Sequence, residues 1–111
     1  MWIFCCGMMR AGSTLQFQLT AQLVEEAGLG KRLEWAQPER FLEVRETYAD
    51  YPGWKVFKVH VCTKPMRLEF KQKNALGLYV FRDVRDVMVS AMRRQGKSFE
   101  QLWRENYNVK N

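Results

Sequence analysis

The chain has few of the residues that staple or punctuate small proteins. Its 111 residues include three cysteines, one histidine and three prolines. Cys5 and Cys6 are adjacent and Cys62 is far off. Three cysteines make a poor disulfide framework, and neighbouring ones rarely bridge. With His60 alone and no CxxC spacing, there is no ligand set for a structural zinc, and no metal is expected. Free thiols point to a reducing, cytoplasmic compartment. No apolar run approaches the roughly 20 residues that a membrane span needs. The apolar start, Met1 to Met9, has no basic leader and ends at Arg10, so a buried strand fits it better than a targeting signal. No membrane partner is therefore expected. Internal repeats and low-complexity linkers are also missing.

Apolar residues make up 47% of the chain and aromatics 14%, which excludes a disordered tail, a collagen-like repeat and a coiled coil. The length gives room for one domain. Eighteen Lys and Arg against twelve Asp and Glu leave a net charge of +6. That excess points to an anionic partner: nucleic acid, anionic membrane or a phosphorylated small molecule. The basic residues are spread along the chain without a nucleic-acid-binding signature, so no nucleic acid is expected.

The pattern predicts strands alternating with helices. Trp2 to Cys6 is a short apolar run stopped by Gly7, as in a strand buried on both faces. Ser13 to Ala27 predicts a helix, with Leu15, Leu19, Leu23 and Ala27 at every fourth position and Gly28 and Gly30 to end it. Lys31 to Gln37 is ambiguous. Pro38 to Tyr48 reads as helix, and Trp54 to Cys62 as a second strand. Thr63 would cap a helix through Lys73, and Leu76 to Arg82 would form a third strand. Helices over Asp83 to Arg94 and from Ser98 to about Tyr107 complete the order. Such alternation implies an α/β fold with a three-stranded parallel sheet flanked by helices. Ligands of these sheets sit at the carboxyl ends of the strands.

Each predicted strand ends in chemistry. Gly7-Met-Met-Arg-Ala-Gly-Ser-Thr14 has P-loop spacing, with Ser13 where the usual Lys would stand. Its backbone amides and the helix start would cradle a phosphate. Ser13 and Thr14 add hydroxyls, and Arg10 brings a guanidinium suited to phosphate or sulfate. The bland alternative is a strand–helix turn with an incidental Arg. Without the Lys, an ordinary ATPase or GTPase is disfavoured, and no acidic strand end resembles a magnesium ligand. Arg82 leaves the third strand, and Ser90 lies about two helical turns on, so both could grip one anion. Otherwise Arg82 pairs with Asp86 and Ser90 merely packs. Lys58 and His60 are two apart at the second strand's end and share a face. His60 is either a structural residue or a general base suited to neutral pH.

Together these segments resemble the sulfotransferases that use 3′-phosphoadenosine 5′-phosphosulfate. Gly7-Met-Met-Arg-Ala-Gly-Ser-Thr-Leu15 is similar to the family's 5′-phosphosulfate loop, commonly RSGTTL or KSGTTW at its core. Tyr79-Val-Phe-Arg-Asp-Val-Arg-Asp-Val-Met-Val-Ser90 is similar to its 3′-phosphate motif, commonly FRDPRDVAVS. Lys58-Val-His-Val61 resembles the shorter KTHL segment, whose His is the base in the cytosolic branch. Ala11 stands for the usual Ser, Val84 for Pro, and Cys62 where that branch has Pro.

The resemblance implies a P-loop-type, truncated three-layer α/β/α fold that transfers a sulfuryl group to a hydroxyl or amine of a small-molecule acceptor. Arg10, Ala11, Gly12, Ser13 and Thr14 would hold the 5′-phosphosulfate, and Arg82 and Ser90 the 3′-phosphate. His60 would be the base, with Arg10 and Lys58 stabilising transferring charge. The family needs no metal. Other branches take a Glu as base from elsewhere, and Glu43 and Glu46 are candidates of that kind here. Members usually run to well over twice this length, so residues 1–111 read as a single, partial domain. A homo-oligomer or a missing C-terminal segment would cover exposed strand edges. A nucleotide-binding or interaction module without turnover, and a P-loop kinase-like phosphotransferase, are the alternatives. Trp35, Phe41 and Trp54 would either line an acceptor pocket or pack in the core.

Overall fold

The computed structural model describes residues 1–8 and 11–107. Four strands, β1 (Trp2–Gly7), β2 (Gly30–Arg32), β3 (Trp54–Val59) and β4 (Ala75–Val80), form one sheet in the order β2-β3-β1-β4. Every pairing is parallel. The α/β class and the parallel sheet flanked by helices are as expected.

Strand β1 lies between β3 and β4, which explains its unbroken apolar run. Side chains alternate across a strand, so Trp2 and Phe4 enter one core while Ile3 and Cys5 enter the other. The first core is aromatic. Phe41 meets Trp2 edge-on at 4.9 Å and Phe4 at 5.4 Å between ring centroids. Phe41 comes from α2 (Phe41–Thr47), and Met66 from α3 (Lys64–Lys71) joins the same cluster. The second core sits under α1 (Ser13–Glu26), where Ala21 and Val24 pack on Ile3, Cys5 and Val56. Helices therefore cover both faces of the central strands.

Two expectations need correction. The sheet has four strands: β2 lies in and before the stretch that looked ambiguous. Gly30 starts it because a Cβ there would stand 1.9 Å from the Trp54 carbonyl oxygen. Lys31 lies over the rings of Tyr48 and Tyr51, at 4.8 and 4.6 Å from their centroids. Strands β3 and β4 stop at Val59 and Val80, before Cys62 and Arg82. The helix predicted from Leu15, Leu19 and Leu23 is present, and these leucines are 61, 53 and 67% exposed on it. The buried residues that dock α1, Ala21 and Val24, are small or β-branched, and the half-buried Phe17 packs beside them.

Helix ends follow local chemistry. Asp83 caps α4 (Val84–Gln95) by accepting the Arg85 amide at 2.9 Å. Gly96, at φ 64°, ends it in the left-handed conformation. Ser98 and Gln101 form a reciprocal capping box on the short α5 (Phe99–Leu102). Thr63 occupies the N-cap of α3 as expected, yet its side chain makes no capping bond. Pro38–Arg40 forms a 3-10 turn that leads into α2.

Candidate functional site

The carboxyl ends of β1, β3 and β4 share one edge of the sheet because the strands are parallel. Gly7 pairs with Val80, and Cys6 with Val59. The loop after β1, the segment after β3 and the start of α4 all leave from this edge.

Gly7 holds the first of these together. A Cβ there would lie 2.5 Å from Val80 Cγ1 and 3.1 Å from Ser13 Cβ. The Met8 amide donates to the Val80 carbonyl at 3.2 Å, and the Ala11 amide closes back on the Met8 carbonyl at 3.2 Å. Gly12 then turns the chain into α1 at φ 88° and ψ 20°, a left-handed geometry that disfavours a side chain. The Gln16 amide donates to the Gly12 carbonyl at 3.0 Å, beginning the helical ladder. The amides of Ser13, Thr14 and Leu15 precede that ladder and form the helix's positive end. Ser13 is only 5% exposed, and Ala11 is buried as well. Arg10 lies outside the described residues.

Two side chains from β3 and the residue just beyond it reach this loop. Lys58 Nζ donates to Thr14 Oγ1 at 2.6 Å. His60 Nδ1 lies 3.0 Å from the Gly7 carbonyl oxygen. A carbonyl oxygen only accepts, so Nδ1 carries the proton and Nε2 the free lone pair. The sequence-predicted residues Gly12, Ser13, Thr14, Lys58 and His60 thus come together. Cys6 is beside them, but burial and the neighbouring Cys62 and Cys5 push its thiol up to about 11. It is not a thiolate nucleophile near neutral pH.

Arg82 and Ser90 meet at a second place. They line one open cleft of about 620 Å³ with Asp86, Val89, Arg93 and Arg94. The neighbouring Asp83 is engaged elsewhere: its carboxylate accepts from the Arg85 guanidinium at 2.8 Å. That hydrogen bond from Arg85, chain and amide together, holds Asp83 below the usual carboxylate range.

A third feature adjoins His60. Trp35, Ala36, Pro38, Lys58, His60 and Val61 contribute to a cavity of about 210 Å³. Of the aromatic residues weighed for an acceptor pocket, Trp35 lines it. Phe41 is wholly in the aromatic core, and Trp54 packs against the second core. Glu43 instead pairs with Arg40 at 2.8 Å and lines a different cavity. Glu46 is exposed and lines no described cavity. Sequence reasoning missed Pro38 and Val61, which carry no chemical signature; only their closeness to the predicted base marks them.

Among the described residues, no group of three or more His, Cys, Asp or Glu could hold a metal ion. No helix among them is long and apolar enough to cross a membrane. The family model described as a sulfotransferase domain matches residues 3–109. No curated protein and no solved structure matches the chain.

Proposed function

The chain belongs to the sulfotransferase domain family, and on that premise we propose that it transfers a sulfuryl group from 3′-phosphoadenosine 5′-phosphosulfate to a hydroxyl or amine of a small molecule. The observation that carries this reading is a pair of links to the end of β1 and the start of α1, Lys58 of β3 to Thr14 at 2.6 Å and His60, just beyond β3, to Gly7 at 3.0 Å. They bring a cation and a base to the mouth of an anion cradle.

The residues present fit such a donor. Gly12 holds the left-handed turn that aims the first amides of α1 outward, and Gly7 leaves no side chain at the loop's entry. Arg82 and Ser90 supply a guanidinium and a hydroxyl for a phosphate at the other end. When bound, the donor supplies an electrophilic sulfuryl group on a phosphate leaving group.

The chain's own residues would then act as follows. The α1 amides, Ser13 and Thr14 hold the phosphosulfate end. Lys58, fixed by Thr14, offsets charge that develops on the leaving phosphate, and Arg10 would share that role. Preorganised cations of this kind supply much of the catalysis in related group transfers. His60 Nε2 takes the proton from the acceptor as its oxygen or nitrogen attacks sulfur. The acceptor would enter the cavity beside Trp35 and Val61, which place apolar surface next to the base.

The test is sulfuryl transfer from labelled donor to a panel of phenols, alcohols and amines, alongside calorimetric donor binding. His60→Ala is expected to lower transfer by about 10²–10⁴-fold while donor affinity stays nearly unchanged. Retained turnover in that variant removes His60 as the base. Donor binding by the intact chain without transfer to any acceptor would favour a nucleotide-binding module instead.

A further inference from the structure

The cleft at the end of β4 is larger and more basic than its two assigned residues require. Arg82 and Asp86 carry opposite charges. By themselves they offer no net charge to a phosphate monoester, which carries about −1.5 to −2 at neutral pH. Arg93 and Arg94 change that balance. Three guanidiniums against one carboxylate leave the cleft with two net positive charges.

Their position suits the task. Ser90, Arg93 and Arg94 are spaced three and four apart, so they are neighbours on one face of α4. Side chains on a helix lean toward its N-terminus. Both arginines therefore reach back over the turn that carries Ser90. Neither makes an ion pair among the described residues. Asp86 is about two turns, or ~12 Å, from Arg94 along the helix axis, too far to neutralise it. Basic residues in a last turn also serve the helix's negative end, a role that needs no ligand and that an experiment can separate.

We propose that Arg93 and Arg94 complete the 3′-phosphate subsite begun by Arg82 and Ser90, and that they set the selectivity for a 3′-phosphorylated nucleotide. The inference rests on the donor reading above. It adds the two residues that turn a charge-neutral grip into one matched to a dianion.

The probes are adenosine 3′,5′-bisphosphate and adenosine 5′-monophosphate, bound to the full chain and followed by calorimetry. Arg93→Gln and Arg94→Gln are each expected to weaken the bisphosphate about tenfold, and the double variant about 100-fold. The monophosphate should change by less than about twofold, because it places no charge in this cleft. The double Lys variant keeps both charges and the helix-end role; it should recover most of the affinity. Thermal melting of each variant reports the fold. A fall in melting temperature with equal losses for both nucleotides would reduce the arginines to helix-end cations and overturn the proposal. If the wild type binds both nucleotides equally, the donor reading and this inference fall together. If the wild type prefers the bisphosphate and the double Gln variant keeps that preference, this inference alone is wrong.

Discussion

The two regions proposed to bind anions are built by different means. The loop after β1 rests on backbone geometry, a left-handed glycine and a helix start, and is tied by the side chains of Lys58 on β3 and His60 just beyond it. It springs from the central strand, and Ser13 within it is buried. The cleft at β4 is made mostly of charged side chains, Arg82 just before α4 and Asp86, Arg93 and Arg94 on it. Its helix is anchored through Met88 and Ala91 to Leu102 on its other face. Backbone donors are fixed in place and suited to the shape of a tetrahedral anion, whereas guanidiniums on long side chains are suited to the amount of charge it carries. A nucleotide with unlike groups at its two ends suits such a division.

The comparison is broken most severely at Gly7, where the two regions touch. Gly7→Val would push a branched side chain onto Val80, two residues before Arg82. Overpacking of this kind costs about 1–3 kcal/mol, enough to lower the melting temperature of a chain this size by several degrees. Adenosine bisphosphate and monophosphate should both bind more weakly, since loop and cleft shift together. Calorimetry that finds only one nucleotide affected would mean that the regions are independent at this point.

A smaller effect sharpens the contrast. Raising salt screens exposed charges more than fixed, partly buried dipoles. Affinity for the bisphosphate should therefore fall more steeply with salt than affinity for the monophosphate. Parallel slopes would mean that the β4 cleft contributes no more charge recognition than the loop.

The same division explains what could be read from the sequence. The loop and its helix are legible because Gly7 and Gly12 are required by close approach and by a left-handed turn, and such requirements leave local marks. The β4 motif is legible as a resemblance, while Arg93 and Arg94 lie beyond its last residue, Ser90, and carry no motif of their own. Strand β2 left no mark of its own. Its three residues, Gly-Lys-Arg, carry no strand pattern, and they pair only because β3 offers an edge. The leucines of α1 show a different limit. A period of four identifies a helix, but which face docks depends on neighbours. Here Ala21 and Val24 fit over Ile3 and Val56, and the leucines remain outside. The strand ends were overrun for a related reason. Val61 and Cys62 suit a strand, yet β3 has no partner residue for them beyond Val59.

The smallest effect concerns the thiol that adjoins the loop. Cys6 stands one residue before Gly7, and burial is the main reason its pKa is raised to about 11. Cys62 is exposed. Iodoacetamide at pH 8 should therefore label Cys62 first and Cys6 slowly, because only the thiolate reacts. The Cys6 rate should climb until the pH nears 11. The linkage has a definite sign. The folded-state pKa is raised, so the thiol's contribution to stability is full below its unfolded value, near 9. That contribution is lost as pH rises toward 11, when the unfolded chain ionises first. The loop, which Cys6 adjoins, should thus loosen in alkali before the β4 cleft, whose lining holds no thiol. Nucleotide affinities across pH 8 to 10 test this: the monophosphate should weaken while the ratio favouring the bisphosphate holds. Rapid labelling of Cys6 at pH 8 would show instead that the end of β1 is open to solvent, and the loop would lose its claim to be the more rigid half of the site.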